Sequence, residues 1–163
     1  MIKKSLLLFA IFTILSVRGQ TSQYDLAVSL IKRVDKSANL ENKMILISFW
    51  TINDADSRER NKEMERVSKI YEKAKLKGGS AGVYFYNFCI DEDQLKYKIS
   101  LKRDSINSSS SYIENKEEFN IINSTFELNT QPNVFIFDSK GNMISKGFAK
   151  KDVFTQLLNQ ITR

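Results

Sequence analysis

Histidine is absent from this sequence, and cysteine and proline each occur once, as Cys89 and Pro132. Without histidine the chain lacks the usual general base, the commonest metal ligand and the side chain that titrates near neutral pH. A lone cysteine makes no internal disulfide. Glycine is also scarce. Its one cluster, Gly78-Gly79-Ser80-Ala81-Gly82, lacks the Gly-Lys-Ser/Thr that a phosphate loop needs, and it leaves a helical pattern instead of entering one. That arrangement predicts a helix-to-strand turn. No apolar run reaches the ~20 residues of a bilayer-spanning helix. Cations are interleaved with acids, as in Lys62-Glu63-Met64-Glu65-Arg66. Such a pattern describes a solvated helix face, not a phosphate-binding stripe, and it argues against nucleic acid as a partner.

Residues 1–19 have the pattern of a secretory signal. Lys3 and Lys4 precede an apolar run, Leu6 to Val17, and Val17-Arg18-Gly19 ends in a small residue before Gln20. The expectation is cleavage and a periplasmic or secreted protein, with no stable membrane insertion afterwards; the alternative is an uncleaved N-terminal anchor. The segment holds three cations, so the formal charge of +6 falls to about +3 without it. The remaining length suits one domain with a proper core.

Along the chain, Leu26, Leu30, Val34 and Ala38 recur at helical spacing and predict a helix over 24–38, within an N-terminal helical segment 20–42. Met44 to Trp50 is a continuous apolar run, predicting a strand buried on both faces. Polar residues 53–57 follow, then a second helix from about Asp56 to Lys77 with Met64, Val67, Tyr71 and Ala74 on one side. Val83 to Ile90 predicts another strand, Asp93 the start of a short helix, and Asn107 to Ser111 a polar loop. Phe119, Ile122 and Phe126 mark a further helix. After Pro132 come two strands, to Asp138 and from Met143 to Phe148, joined as a hairpin through Ser139-Lys140-Gly141-Asn142. A closing amphipathic helix follows Asp152.

Helix, strand, helix, strand, helix, hairpin and helix is an α/β order with a parallel strand pair and an antiparallel addition. Two motifs make it more specific. Phe49-Trp50-Thr51-Ile52-Asn53-Asp54-Ala55-Asp56-Ser57-Arg58 resembles the Phe-Trp-Ala-x-Trp-Cys-x-x-Cys-Arg pattern of TlpA-type thioredoxin-like proteins of bacterial envelopes. Phe49, Trp50 and Arg58 match; Asp54 and Ser57 stand where the cysteines would be. Pro132, an apolar strand, Asp138 and Lys140-Gly141 resemble that family's cis-proline motif. The resemblance covers roughly residues 40–163. It implies a thioredoxin-like fold over 43–163, a central mixed β-sheet flanked by helices with an N-terminal helix, and a cis bond before Pro132. It also implies a peptide-binding groove lined by Trp50, Asp54, Ser57, Gln131 and Pro132.

Asp54 and Ser57 cannot exchange disulfides, because that chemistry needs a thiolate and a resolving thiol. Thr51 lies three residues before Asp54, a peroxiredoxin-like spacing, but the reactive cysteine is again missing. The replacements suit the head of a helix, where Asp56 with Glu59 also has capping-box spacing. The other reading is Asp54 with Asp56 as a catalytic or metal-binding acid pair. The expectation is a non-redox module that binds an extended peptide or envelope protein, with no catalytic residue, metal or cofactor. The alternative is a thiol-disulfide or peroxide-handling oxidoreductase working through Cys89 alone, separable from the first by that thiol's accessibility.

Overall fold

The structure, a computed structural model, describes residues 22–77, 81–91, 93–106, 110–112, 116–128 and 134–147. The expected signal segment, Gln131, Pro132 with its cis bond, and the closing helix after Asp152 lie outside them.

β1 (Met44–Trp50) is buried along its whole length, as its unbroken apolarity predicts. It pairs in parallel with β2 (Val83–Cys89) on one side and antiparallel with β4 (Val134–Phe137) on the other. The sheet among the described residues has the order β3-β2-β1-β4-β5. Its edges are β3 (Ser110–Tyr112), parallel to β2, and β5 (Met143–Gly147), antiparallel to β4. β3 corrects the expectation of a polar loop through Ser111. Serines carry no apolar alternation, so this strand is defined by backbone pairing to Asn87–Cys89 and not by side-chain pattern.

Alternation along the strands sends Ile45, Ile47, Phe49, Tyr86, Phe88, Phe135 and Phe137 to one face, against α1 (Gln23–Val34) and α4 (Lys116–Phe126). Met44, Leu46, Val83, Phe85, Val134 and Ile136 point the other way, onto Met64, Val67 and Tyr71 of α2 (Ala55–Tyr71). α3 (Gln94–Asp104) covers the end of that second face through Tyr97, which packs with Trp50, Ile52 and Cys89.

Two helices end earlier than their apolar spacing predicts. α1 stops at Val34 because Asp35 turns out of the helix: its carboxylate accepts from the Ser37 hydroxyl at 2.6 Å and the Tyr84 hydroxyl at 2.6 Å. α2 stops at Tyr71, not Lys77, and the chain turns so that Leu76 joins the cluster under α2. In the β4–β5 turn Gly141 has φ +86°, and a Cβ there would lie 2.8 Å from the Tyr24 ring, so hairpin and α1 meet only because that side chain is missing.

Candidate functional site

The carboxyl end of β1 delivers residues 51–54 to the head of α2. Asp54 is the N-cap, with extended backbone, and its carboxylate accepts the Asp56 N–H at 3.0 Å. The cap is therefore Asp54; Asp56, expected as the capping-box residue, sits inside the first turn, where its backbone is already helical. The Ser57 hydroxyl donates to the other Asp54 oxygen, and Arg60 Nη2 donates to Ser57 Oγ at 2.8 Å while lying 3.9 Å from Asp54. Ser57 and Arg60 are buried, and Asp54 is half exposed. The hydroxyl of Ser57, then the backbone N–H groups and Arg60, hold the Asp54 carboxyl below its usual value.

This arrangement supports the capping role of Asp54. Both Asp54 oxygens are engaged by donors of the helix head, and no group of three or more His, Cys, Asp or Glu among the described residues gathers to hold a metal.

Trp50, expected on the floor of a groove, is 2% exposed and packs against Tyr97 with ring centroids 6.0 Å apart. Of the expected groove residues that are described, Asp54 is the one that meets solvent substantially. Cys89 is fully buried beside Trp50, its Sγ donating to Asp91 at 3.8 Å, and burial pushes its thiol up to about 12. Burial thus favours the protonated thiol at neutral pH.

Asp91 also accepts the Ile52 N–H, and the Ile90 N–H donates to the Trp50 carbonyl at 3.0 Å. The loop after β1 is thus pinned to the end of β2. Asp93 caps α3, accepting the Lys96 N–H at 2.9 Å. Arg58 closes the far side with a two-pronged pair to Asp104 at 2.7 and 2.8 Å. Sequence reasoning singled out Arg58 as a motif match but not its partner, 46 residues away, nor the inward turn of Arg60; no spacing pattern announces either. Between the loop and α3 lie two cavities. One of about 390 Å³ is lined by Ile52, Asn53, Asp91, Asp93, Gln94 and Lys96. The other, of about 310 Å³, adjoins it through Ile52, Asn53 and Lys96 and reaches Arg58, Ile99 and Arg103.

No family model and none of the curated proteins matches this chain. Solved structures do. The thioredoxin domain of a thiol-disulfide oxidoreductase from Bacteroides vulgatus superimposes with a TM-score of 0.62 at 13% identity, covering 73% of this chain and 79% of that one. A thioredoxin-like protein from Parabacteroides distasonis gives 0.58 at 19% identity, over 77% and 89% of the two chains. A thiol-disulfide oxidoreductase from Bacteroides fragilis gives 0.58 at 16%, over 76% and 85%. These likenesses establish a thioredoxin-like fold, and with it the expected class: a mixed sheet flanked by helices, preceded by an N-terminal helix. The chain has that fold with a single cysteine.

Proposed function

We propose that this is an exported protein of the TlpA-type thioredoxin-like branch that has lost dithiol chemistry and acts by binding an extended peptide or an envelope protein. The observation that carries the reading is the head of α2, where Asp54, Ser57 and Arg60 form a hydrogen-bonded cap at the position of the missing cysteines. Export rests on residues 1–19, and the groove beside Asp54 and Ser57 rests on the motif at Gln131 and Pro132. The second reading, oxidoreduction through Cys89, draws support from the names of the structural neighbours. It has against it a thiol that is buried and protonated.

Insulin reduction with dithiothreitol tests the choice. The protein should show the uncatalysed rate, and Cys89 should label slowly in the native state and fast in urea. Asp54→Cys combined with Ser57→Cys places two thiols at the helix head one turn apart, and that variant should gain disulfide exchange. Native turnover abolished by Cys89→Ala would replace the binding reading with the second one.

A further inference from the structure

α3 carries apolar side chains on two opposite sides. Tyr97 and Leu101 pack inward with Trp50 and Cys89. At about 100° per residue, Leu95 and Ile99 stand one turn apart on the opposite side, 70% and 55% exposed. The same geometry sets exposed Lys98 and Lys102 along one flank of this ridge and Lys96 and Arg103 along the other. The helix has one acid, Asp104, and it is turned inward: its side chain is 6% exposed and bound by Arg58. Lys98 and Lys102 pair with no acid among the described residues. The cavity of about 310 Å³ runs beside Ile99 and Arg103, with Ile52 and Arg58 on its other wall.

We propose that this outward face of α3 docks an acidic segment of a protein partner, an apolar side chain of the partner covering Ile99 beside Ile52 while its carboxylates meet Lys98 and Lys102. Charge complementarity selects the occupant: Lys96 and Arg103 are paired with Asp93 at 3.2 Å and Asp104 at 3.3 Å, whereas exposed Lys98 and Lys102 border the ridge with no acid partner among the described residues. Apolar anchors one turn apart, rimmed by charge, are the usual elements of peptide recognition by a helix face. A membrane surface fits less well, because interfacial helices bury a broad apolar face, whereas this one offers two aliphatic side chains. Nucleic acid would place its phosphates around apolar groups that it cannot use. The proposal goes beyond the non-redox reading and stands whether or not the helix head has redox activity.

The test is a fluorescence-anisotropy titration of the full chain with a labelled peptide of alternating glutamate and leucine. Matched peptides carry lysine for glutamate or serine for leucine, and phosphatidylglycerol vesicles are titrated separately. The Glu-Leu peptide should bind saturably, the matched peptides weakly. Leu95→Ser with Ile99→Ser should weaken binding about tenfold or more, as loss of an anchor does, and Lys98→Glu with Lys102→Glu should do the same. All four positions are exposed, so melting should be unchanged; if the serine variant unfolds, the charge-reversal variant carries the test. Absence of saturable binding, or equal binding by wild type and charge-reversal variant, overturns the proposal. Vesicle binding without peptide binding overturns it in favour of a membrane surface. Insulin reduction measured on the same samples reports separately on the non-redox reading.

Discussion

The two faces of the sheet are built from the same strands and differ in what they bury. Against α1 and α4 the interior is hydrocarbon and aromatic: Phe49 lies 4.8 Å from Phe126, 6.0 Å from Phe88 and 6.1 Å from Phe135, centroid to centroid. Against α2 and α3 the apolar packing is in two clusters. Ser48 and its registered neighbour Asn87 stand on this face between them, with Asn61 on α2 one turn before Met64. Ser48, Asn87, Ser57, Arg60, Asn61 and Glu65, with Ser100 on α3, are buried on this second face, whereas on α4 the Oδ1 atom of partly buried Asn123 is out of solvent. Burying such groups costs free energy unless hydrogen bonds compensate. One face thus stabilises the fold, and the other carries the polar groups that lead to the helix head. The concentration of polarity under Asp54 and Ser57 marks this end as the one where local stability is not maximised.

Emptying the aromatic face should have the largest effect. Phe49 is fully buried and touches aromatic rings from β2, β4 and α4. Phe49→Ala should cost about 3–5 kcal/mol, since both burial and cavity terms apply, measured as a shift in urea midpoint at unchanged slope. A cost below ~1 kcal/mol would remove the contrast between the faces.

On the other face a two-pronged polar link, Arg58 with Asp104, ties α2 to α3. Asp104 is held below its usual value, first by the Arg58 hydrogen bond and then by the charges of Arg58 and Arg103. Arg58→Ala should cost about 1.5–3 kcal/mol as a lost charged hydrogen bond, toward the lower end because Arg58 is a quarter exposed. Thermal melts of the variant against wild type measure it, and Asp104→Asn should lose part of the same amount.

Much of the fold is legible in the chain because its signals are local. The unbroken run Met44–Trp50 announces a strand buried on both faces, and residues 53–57 announce a helix start. The parts that were not legible depend on partners distant in sequence. β3 exists through pairing with Asn87–Cys89 despite a serine-rich sequence. Arg60 and Asn61 belong to a stretch that looks like solvated helix surface, yet both are buried, because α2 lies with its first turns over the end of the sheet. The candidate site was half legible: Asp54 and Ser57 follow from motif and capping chemistry. The burial of Trp50 and the cavities against α3 follow only from how α3 folds over the loop.

A smaller effect belongs to the helix head, and it carries a pH signature. Asp54→Ala removes the N-cap and should cost about 1 kcal/mol at neutral pH. The Asp54 carboxyl is lower in the folded protein than its ordinary value of 3.8, chiefly through the Ser57 hydroxyl. A lowered folded value means that the carboxylate's contribution is present above the unfolded value and disappears as pH falls through the folded one. The stability gap between wild type and Asp54→Ala should therefore hold constant from neutrality down to about pH 4, then narrow. Urea midpoints across that range measure it, and a gap that widens on acidification would exclude Asp54 as an ionised cap.

The smallest effect is expected where the second face looks most wasteful. Ser48 is fully buried in the central strand, and its Oγ, like Oδ1 of Asn61 and of Asn87, has no hydrogen-bond partner among the described residues. Ser48→Ala deletes one oxygen and leaves the strand's backbone pairing untouched. The lost van der Waals contacts are few, and a buried hydroxyl that makes no bond carries a desolvation cost of about 1–3 kcal/mol. Removing it should leave stability within about 0.5 kcal/mol of wild type or raise it, and Ser48→Ala joined to Asn61→Leu should not fall below the sum of the single changes. A loss of ~2 kcal/mol or more would show instead that Ser48 is bonded in solution, with water as its partner. The polar row would then be a satisfied network, and the two faces would differ in composition but not in how well each holds the fold.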